Sequence, residues 1–126
     1  MNAPFNLEDT RKSGFRVSRE GPVARITLAR PEKRNAMSPA FWRDFPKAVQ
    51  TLSDEGETRV LIIDADGPVF TAGMDVSVFF DPSMLGTDTA SKREAFMRAA
   101  LALQDTFTAL ETARMPVIAA VDGPCI

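Results

Sequence analysis

Two short, unbroken apolar runs, Val-Leu-Ile-Ile at residues 60–63 and Val-Ile-Ala-Ala-Val at residues 117–121, constrain this chain more than any other feature. Runs of that length with no polar position are expected of strands covered on both faces, the usual condition of parallel strands. Between them, residues 90–114 carry apolar side chains at helical spacing, and Phe96, Ala99, Ala100, Leu103, Phe107 and Leu110 mark the predicted core face. A helix between two buried strands implies a crossover connection and therefore an α/β fold.

The remaining segments fit that frame. Residues 15–20 and 23–28 alternate apolar and polar side chains on either side of Gly21-Pro22, which predicts a strand, a tight turn and a second strand. Residues 29–37 form a charged loop, and Ser38-Pro39 supplies a helix cap followed by proline at the first helical position. Phe41, Phe45, Val49 and Leu52 then give one buried stripe, with Pro46 expected to kink the helix or end its regular part early. Residues 66–75 and 82–88 read as loops, the second a flexible one, and Met115-Pro116 stops the long helix. Residues 1–13 are expected to be a flexible tail and residues 14–126 part of one domain. A buried strand that runs into Asp122-Gly123-Pro124-Cys125-Ile126 has nothing after it to cover its edge, so a truncated chain, the front of a longer domain, is expected.

Charge and composition remove several classes of function. A net charge of -2 with mixed signs offers no basic run for nucleic acid or for a membrane surface. The apolar runs are far too short to span a bilayer. Residues 1–13 lack the apolar stretch of a secretion signal, and Cys125 is the only cysteine, so a reducing, cytoplasmic setting is expected. The chain has no histidine, which excludes Ser-His-Asp triads, Cys-His dyads and nearly all ordinary zinc sites. Its chemistry must use carboxylates, lysine, hydroxyls or backbone groups.

Such backbone chemistry suits residues 60–75. A buried strand leads into a tight turn, Phe70-Thr71-Ala72-Gly73-Met74-Asp75, where small residues at 72 and 73 let the main chain approach a ligand and Gly73 permits an unusual φ. An N–H left unpaired in such a turn can donate to a developing negative oxygen, while Asp75 caps the next helical turn. By itself, Ala-Gly-x-Asp fits a plain strand-to-helix turn better. Arg30, Lys33 and Arg34 are cations suited to phosphates, although alone they read as a solvated loop. An unrelated phosphate binder built on residues 66–75 stays open on these grounds.

Taken in order, the segments Arg30-Pro31-Glu32-Lys33-Arg34-Asn35-Ala36, Phe70-Thr71-Ala72-Gly73-Met74-Asp75, residues 103–111 and Pro116-Val117-Ile118-Ala119-Ala120-Val121 resemble the enoyl-CoA hydratase/isomerase (crotonase) family over about residues 15–126. Arg30 to Met37, Ala40-Phe41-Trp42-Arg43 and residues 104–111 are most similar to its dienoyl-CoA isomerase branch. A hydroxycinnamoyl-CoA hydratase-lyase resembles the first of these segments and Thr71-Ala72-Gly73-Met74-Asp75.

The resemblance implies a crotonase-like ββα spiral, of which this chain holds the first turns, in a homotrimer or hexamer. It implies an acyl-CoA thioester as substrate, with CoA part of that substrate, no separate cofactor, no metal, and no nucleic acid or membrane partner. The reaction is hydration or double-bond migration in acyl-CoA metabolism, through a thioester enolate. The Met74 N–H is the expected catalytic donor, one half of an oxyanion hole. Ala72, Gly73, Met74, Asp75 and Val76 are expected to contact the thioester arm and adenine, and Lys33, Arg34 and Ala36 the CoA phosphates or pantetheine. In the family the second donor and the acid–base carboxylates fall beyond Ile126, so the 126 residues alone are expected to be inactive. The alternative is an inactive short form that binds CoA or a partner subunit. Asp64 and Asp66 read as loop residues, and Asp122, where the family often has histidine, as a turn residue before Gly123.

Overall fold

The computed structural model describes residues 5–81 and 89–126. Phe15–Glu20 (β1) and Val23–Leu28 (β2) form an antiparallel hairpin in the register Phe15↔Leu28 to Glu20↔Val23. Val60–Ala65 (β3) joins β2 in parallel, and Val117–Ala119 (β4) joins β3 in parallel, giving the sheet order β1-β2-β3-β4. The expected α/β architecture with crossover helices is therefore present.

Helix Pro39–Glu55 (α1) makes the first crossover. The Ser38 hydroxyl accepts the Phe41 N–H at 3.2 Å, satisfying one of the donors that a helix start leaves free. Phe41, Phe45, Ala48, Val49 and Leu52 are all buried, and with Phe15, Ile26, Leu28 and Leu61 they form the core. Phe15 meets Phe41 and Phe45 edge-on at 5.9 and 5.8 Å, while Phe41 and Phe45 stack at 4.8 Å. Such pairs add about 0.5–1.5 kcal/mol each beyond area burial. Pro46 does not end the helix early: α1 continues through it to Glu55 and is closed by Gly56, whose φ is 77°. Pro46 has no N–H to give to the Trp42 carbonyl, but burial of Val49 and Leu52 in the following turns favours continuation.

Helix Thr89–Thr112 (α2) makes the second crossover, and Arg114 secures its end by donating to the Ser53 and Thr58 carbonyls at 3.2 and 2.9 Å. Its predicted core face is only partly covered. Phe96 and Phe107 are 57% and 50% exposed, Ala99, Ala100, Leu103 and Leu110 are half-buried, and Thr106 is the buried position. A second correction concerns β4, which is short and lies at the sheet edge, with Ile118 53% exposed. In β3, Leu61 and Ile63 are buried in the cluster with α1, and Val60 and Ile62, which alternate with them, are half-buried.

Part of the expected flexible tail packs against the core. Phe5 and Leu7 touch it, Thr10 is buried and donates to the Phe15 carbonyl at 2.7 Å, and Ser13 donates to the Asp44 carboxylate on α1. Asp64 is a strand residue rather than a loop residue: across the β2–β3 pair it accepts from Arg25 and Thr27, both at 2.6 Å. The loop expected at residues 82–88 lies outside the described residues.

Candidate functional site

Three segments converge beyond the C-terminal ends of β2 and β3. Asn35 staples the first two. It is buried with φ 54°, its Nδ2 donates to the carbonyls of Asp66 and Val69 at 2.9 and 3.0 Å, and its Oδ1 accepts the Arg30 N–H at 2.8 Å. Asparagine tolerates the left-handed region better than most side chains do, which suits it to this corner. The third segment, after β4, lies so close that a Cβ on Gly123 would fall 2.1 Å from the Pro68 carbonyl oxygen. There the Phe70 N–H donates to the Pro124 carbonyl at 2.9 Å.

In residues 71–75 every backbone N–H except that of Met74 is hydrogen-bonded among the described residues. The Ala72 N–H donates to the Arg34 carbonyl at 2.9 Å, the Gly73 N–H to the Thr71 hydroxyl at 3.0 Å and the Asp75 N–H to the Met37 carbonyl at 3.0 Å. The Gly73 carbonyl accepts the Met37 N–H at 2.8 Å. Among the described residues the Met74 N–H has no hydrogen-bond partner. Its direction follows from peptide geometry. The Gly73 carbonyl and the Met74 N–H belong to one planar trans unit and point opposite ways, so a carbonyl fixed on Met37 aims the N–H away from it. Gly73, at φ 89°, makes this turn possible; a Cβ there would sit 3.1 Å from the Ile126 carbonyl oxygen in a backbone region that L side chains avoid.

Met74 also separates two cavities. One, of about 310 Å³, is lined by Met74, Val78 and Phe79 with Phe96, Ala99, Ala100 and Leu103 of α2, and its wall is almost wholly apolar. The other, of about 490 Å³, is lined by Arg30, Lys33, Ala36, Met74, Asp75, Val76 and Ser77. Lys33, Ala36, Met74, Asp75 and Val76 are thus brought together at the second cavity. Ala72 and Gly73 shape the turn itself. Arg34 takes part through its carbonyl, and its side chain is exposed and outside both linings.

Asp75 is the carboxylate within these linings, and its oxygens are committed. Oδ1 accepts the Ser77 N–H at 2.9 Å, capping the 3-10 turn Val76–Phe80, and Oδ2 accepts from Arg30 at 3.0 Å. The Ser77 hydrogen bonds hold its carboxyl below the usual carboxylate range; partial burial opposes them and Arg30 adds to them. Asp66 pairs with Arg16 on the exposed side of the sheet, and that hydrogen bond lowers its pKa against a smaller desolvation effect. Asp64, Asp66 and Asp122 line neither cavity. Among the described residues no group of three potential metal ligands occurs, and no helix is long and apolar enough to cross a membrane.

Sequence reasoning missed Met37 and Thr71 as parts of this site and did not place Arg30 on Asp75. Met37 acts through its backbone, which no side-chain pattern reveals. Thr71, a single buried hydroxyl, carries no periodic signal.

A family model for enoyl-CoA hydratase/isomerase matches residues 18–126. Over 130 aligned residues the chain is 35% identical to the mitochondrial Delta(3,5)-Delta(2,4)-dienoyl-CoA isomerase of Mus musculus, covering 98% of this chain and 39% of that protein. A crystal structure from Thermobifida fusca YX, described as an enoyl-CoA hydratase, matches with a TM-score of 0.77 at 28% identity, over 98% of this chain and 47% of that one. Another from the same organism, in complex with acetoacetyl-CoA, gives a TM-score of 0.74 at 29% identity, over 96% of this chain and 48% of that one. The chain spans less than half the length of each of these relatives.

Proposed function

The chain belongs to the enoyl-CoA hydratase/isomerase family and has its crotonase-type α/β fold, and from that premise we propose that the Met74 N–H binds the thioester oxygen of an acyl-CoA as one half of an oxyanion hole. One observation carries the proposal: Met74 offers an unpaired N–H in a turn where the N–H groups of Ala72, Gly73 and Asp75 are all bonded. Adding water to an enoyl thioester, or moving its double bond, puts negative charge on that oxygen. A donor already held in place stabilises the charge without reorganising, and loss of one such donor typically costs about 100- to 1,000-fold in rate.

The two cavities suit the two ends of an acyl-CoA. The apolar one beside α2 accepts the acyl chain, and the one lined by Arg30 and Lys33 accepts the CoA arm. Ala36, Ala72, Gly73, Asp75 and Val76 shape that arm's path, and Arg34 adds exposed positive charge near it. The complex of the Thermobifida fusca YX protein with acetoacetyl-CoA supports the ligand class.

Proton transfer needs a carboxylate that is free to titrate. Asp75 has its oxygens committed to Ser77 and Arg30, so it orients the turn rather than relaying protons. We therefore assign the second donor and the acid–base carboxylates to polypeptide outside these 126 residues. In that larger protein the activity is hydratase or isomerase chemistry on acyl-CoA, in a homotrimer or hexamer in the cytoplasm. The commitment of Asp75 also favours a second reading, a thioester-binding or subunit-interaction module without turnover.

Calorimetric titration of the 126-residue chain with acetoacetyl-CoA and with CoA, beside assays on crotonyl-CoA and a dienoyl-CoA, tests these readings. Tighter binding of acetoacetyl-CoA than of CoA, without turnover, is expected. Equal affinities would remove the oxyanion assignment. Turnover by these residues alone would remove both the module reading and the need for carboxylates from elsewhere.

A further inference from the structure

We infer that the Thr71 hydroxyl is a positioning group for the Met74 N–H, an inference that rests on the oxyanion reading for its functional meaning and on local geometry for its substance. Thr71 is 2% exposed, so its hydroxyl has no recourse to solvent. That hydroxyl donates to the Asn35 carbonyl at 2.7 Å and accepts the Gly73 N–H at 3.0 Å. A hydroxyl has one hydrogen to give. Spending it on Asn35 turns a lone pair toward Gly73 and fixes the polarity of both bonds. Asn35 is itself immobilised by three side-chain hydrogen bonds to Arg30, Asp66 and Val69. The main chain of Thr71 is anchored as well, its carbonyl accepting the Ile126 N–H at 3.1 Å.

Glycine makes this tether consequential. Gly73 lacks the Cβ that restricts other residues, so its φ and ψ are held by hydrogen bonds rather than by sterics. Its N–H is held by Thr71 and its carbonyl by Met37. Together these fix the peptide planes on both sides of the glycine. Without the Thr71 bond the preceding plane loses its tether, and the Met74 N–H direction then rests on the Met37 contacts alone. A threonine that touches no ligand thereby helps set where a bound oxyanion is met.

Amide NMR of the wild-type chain, Thr71→Val and Thr71→Ser tests the inference. Valine keeps the shape and removes both hydrogen bonds, whereas serine keeps the hydroxyl. In the free protein Thr71→Val should shift the Gly73 and Met74 amide resonances and speed exchange of the Gly73 amide about tenfold, matching one lost hydrogen bond, with Thr71→Ser restoring both. The valine variant should bind acetoacetyl-CoA about three- to tenfold more weakly and CoA about as before. Unmoved Gly73 and Met74 amides in Thr71→Val would overturn the inference, as would a serine variant that behaves like valine. If Thr71→Val does not fold, the wild-type hydroxyl proton decides: slow exchange with a nuclear Overhauser contact to the Gly73 amide supports the tether, and exchange at the solvent rate overturns it. A wild-type chain that does not distinguish acetoacetyl-CoA from CoA sinks the oxyanion reading, and the free-state amides still judge the role of Thr71.

Discussion

Met37 brackets Met74: its N–H donates to the Gly73 carbonyl at 2.8 Å while its own carbonyl accepts the Asp75 N–H at 3.0 Å. These two bonds form an isolated parallel bridge between the loop after β2 and the loop after β3, and they leave the Met74 N–H facing the other way. Both are main-chain bonds, so the identity of the Met37 side chain should matter little. Met37→Leu is expected to keep the preference for acetoacetyl-CoA over CoA. Met37→Pro, which has no N–H, is expected to reduce that preference about tenfold or more, as read by calorimetry.

Asp75 carries a pH prediction. Ser77 first, and Arg30 in addition, hold its folded-state pKa below the ordinary value, with desolvation opposing. A carboxylate with a lowered folded pKa stabilises the fold fully above its unfolded pKa of about 4, and that contribution is lost as pH falls through the lower folded value. Asp75→Asn is therefore expected to lower stability at neutral pH and to flatten the acid limb of the stability profile. Urea unfolding at a series of pH values from neutral to strongly acid checks both.

The apolar cavity should sort acyl groups by size. At about 310 Å³ with Ala99 and Ala100 in its wall, it has room for several methylenes. Each fully buried methylene contributes about 0.8 kcal/mol, so octanoyl-CoA should bind about tenfold or more tighter than butyryl-CoA even with partial burial. Ala100→Phe is expected to erase that difference while leaving acetoacetyl-CoA affinity within about twofold. Titration with a graded acyl-CoA series measures it.

Ser13 should prove part of the folded unit. Burial pushes the Asp44 carboxyl upward, but the hydrogen bonds from Ser13 and Arg43, with the charges of Arg43 and Lys47, bring it below the ordinary range. Ser13→Ala leaves a buried carboxylate oxygen short of a donor, and a loss of about 1–3 kcal/mol in urea unfolding is expected. Removal of residues 1–13 should cost at least as much, because Phe5 and Leu7 pack on the same core.

The hairpin, α1 and the parallel strands were readable in the sequence because each has a local signature. Alternation with Gly21-Pro22 marks β1 and β2, Ser38-Pro39 marks the start of α1, and an apolar run marks β3. The buried stripe through Val49 and Leu52 was readable from its spacing, but how its burial weighs against Pro46 was not, because that balance depends on tertiary packing. Periodicity identified α2 but not its coverage, since an apolar face says nothing about how much of it a neighbour reaches. Within the site, Gly73 and Asp75 announce themselves by residue type. The contribution of Met37 comes from the loop residue it bridges to, and that of Thr71 from its hydrogen bonds with Asn35 and Gly73, and neither leaves a mark in a single sequence.

A crystal structure of the chain with acetoacetyl-CoA tests the central claim most directly. The thioester oxygen should lie about 3 Å from the Met74 nitrogen, with the Met37 and Thr71 hydrogen bonds to Gly73 still in place. A thioester oxygen held by another group, with the Met74 N–H bonded within the protein, would contradict it.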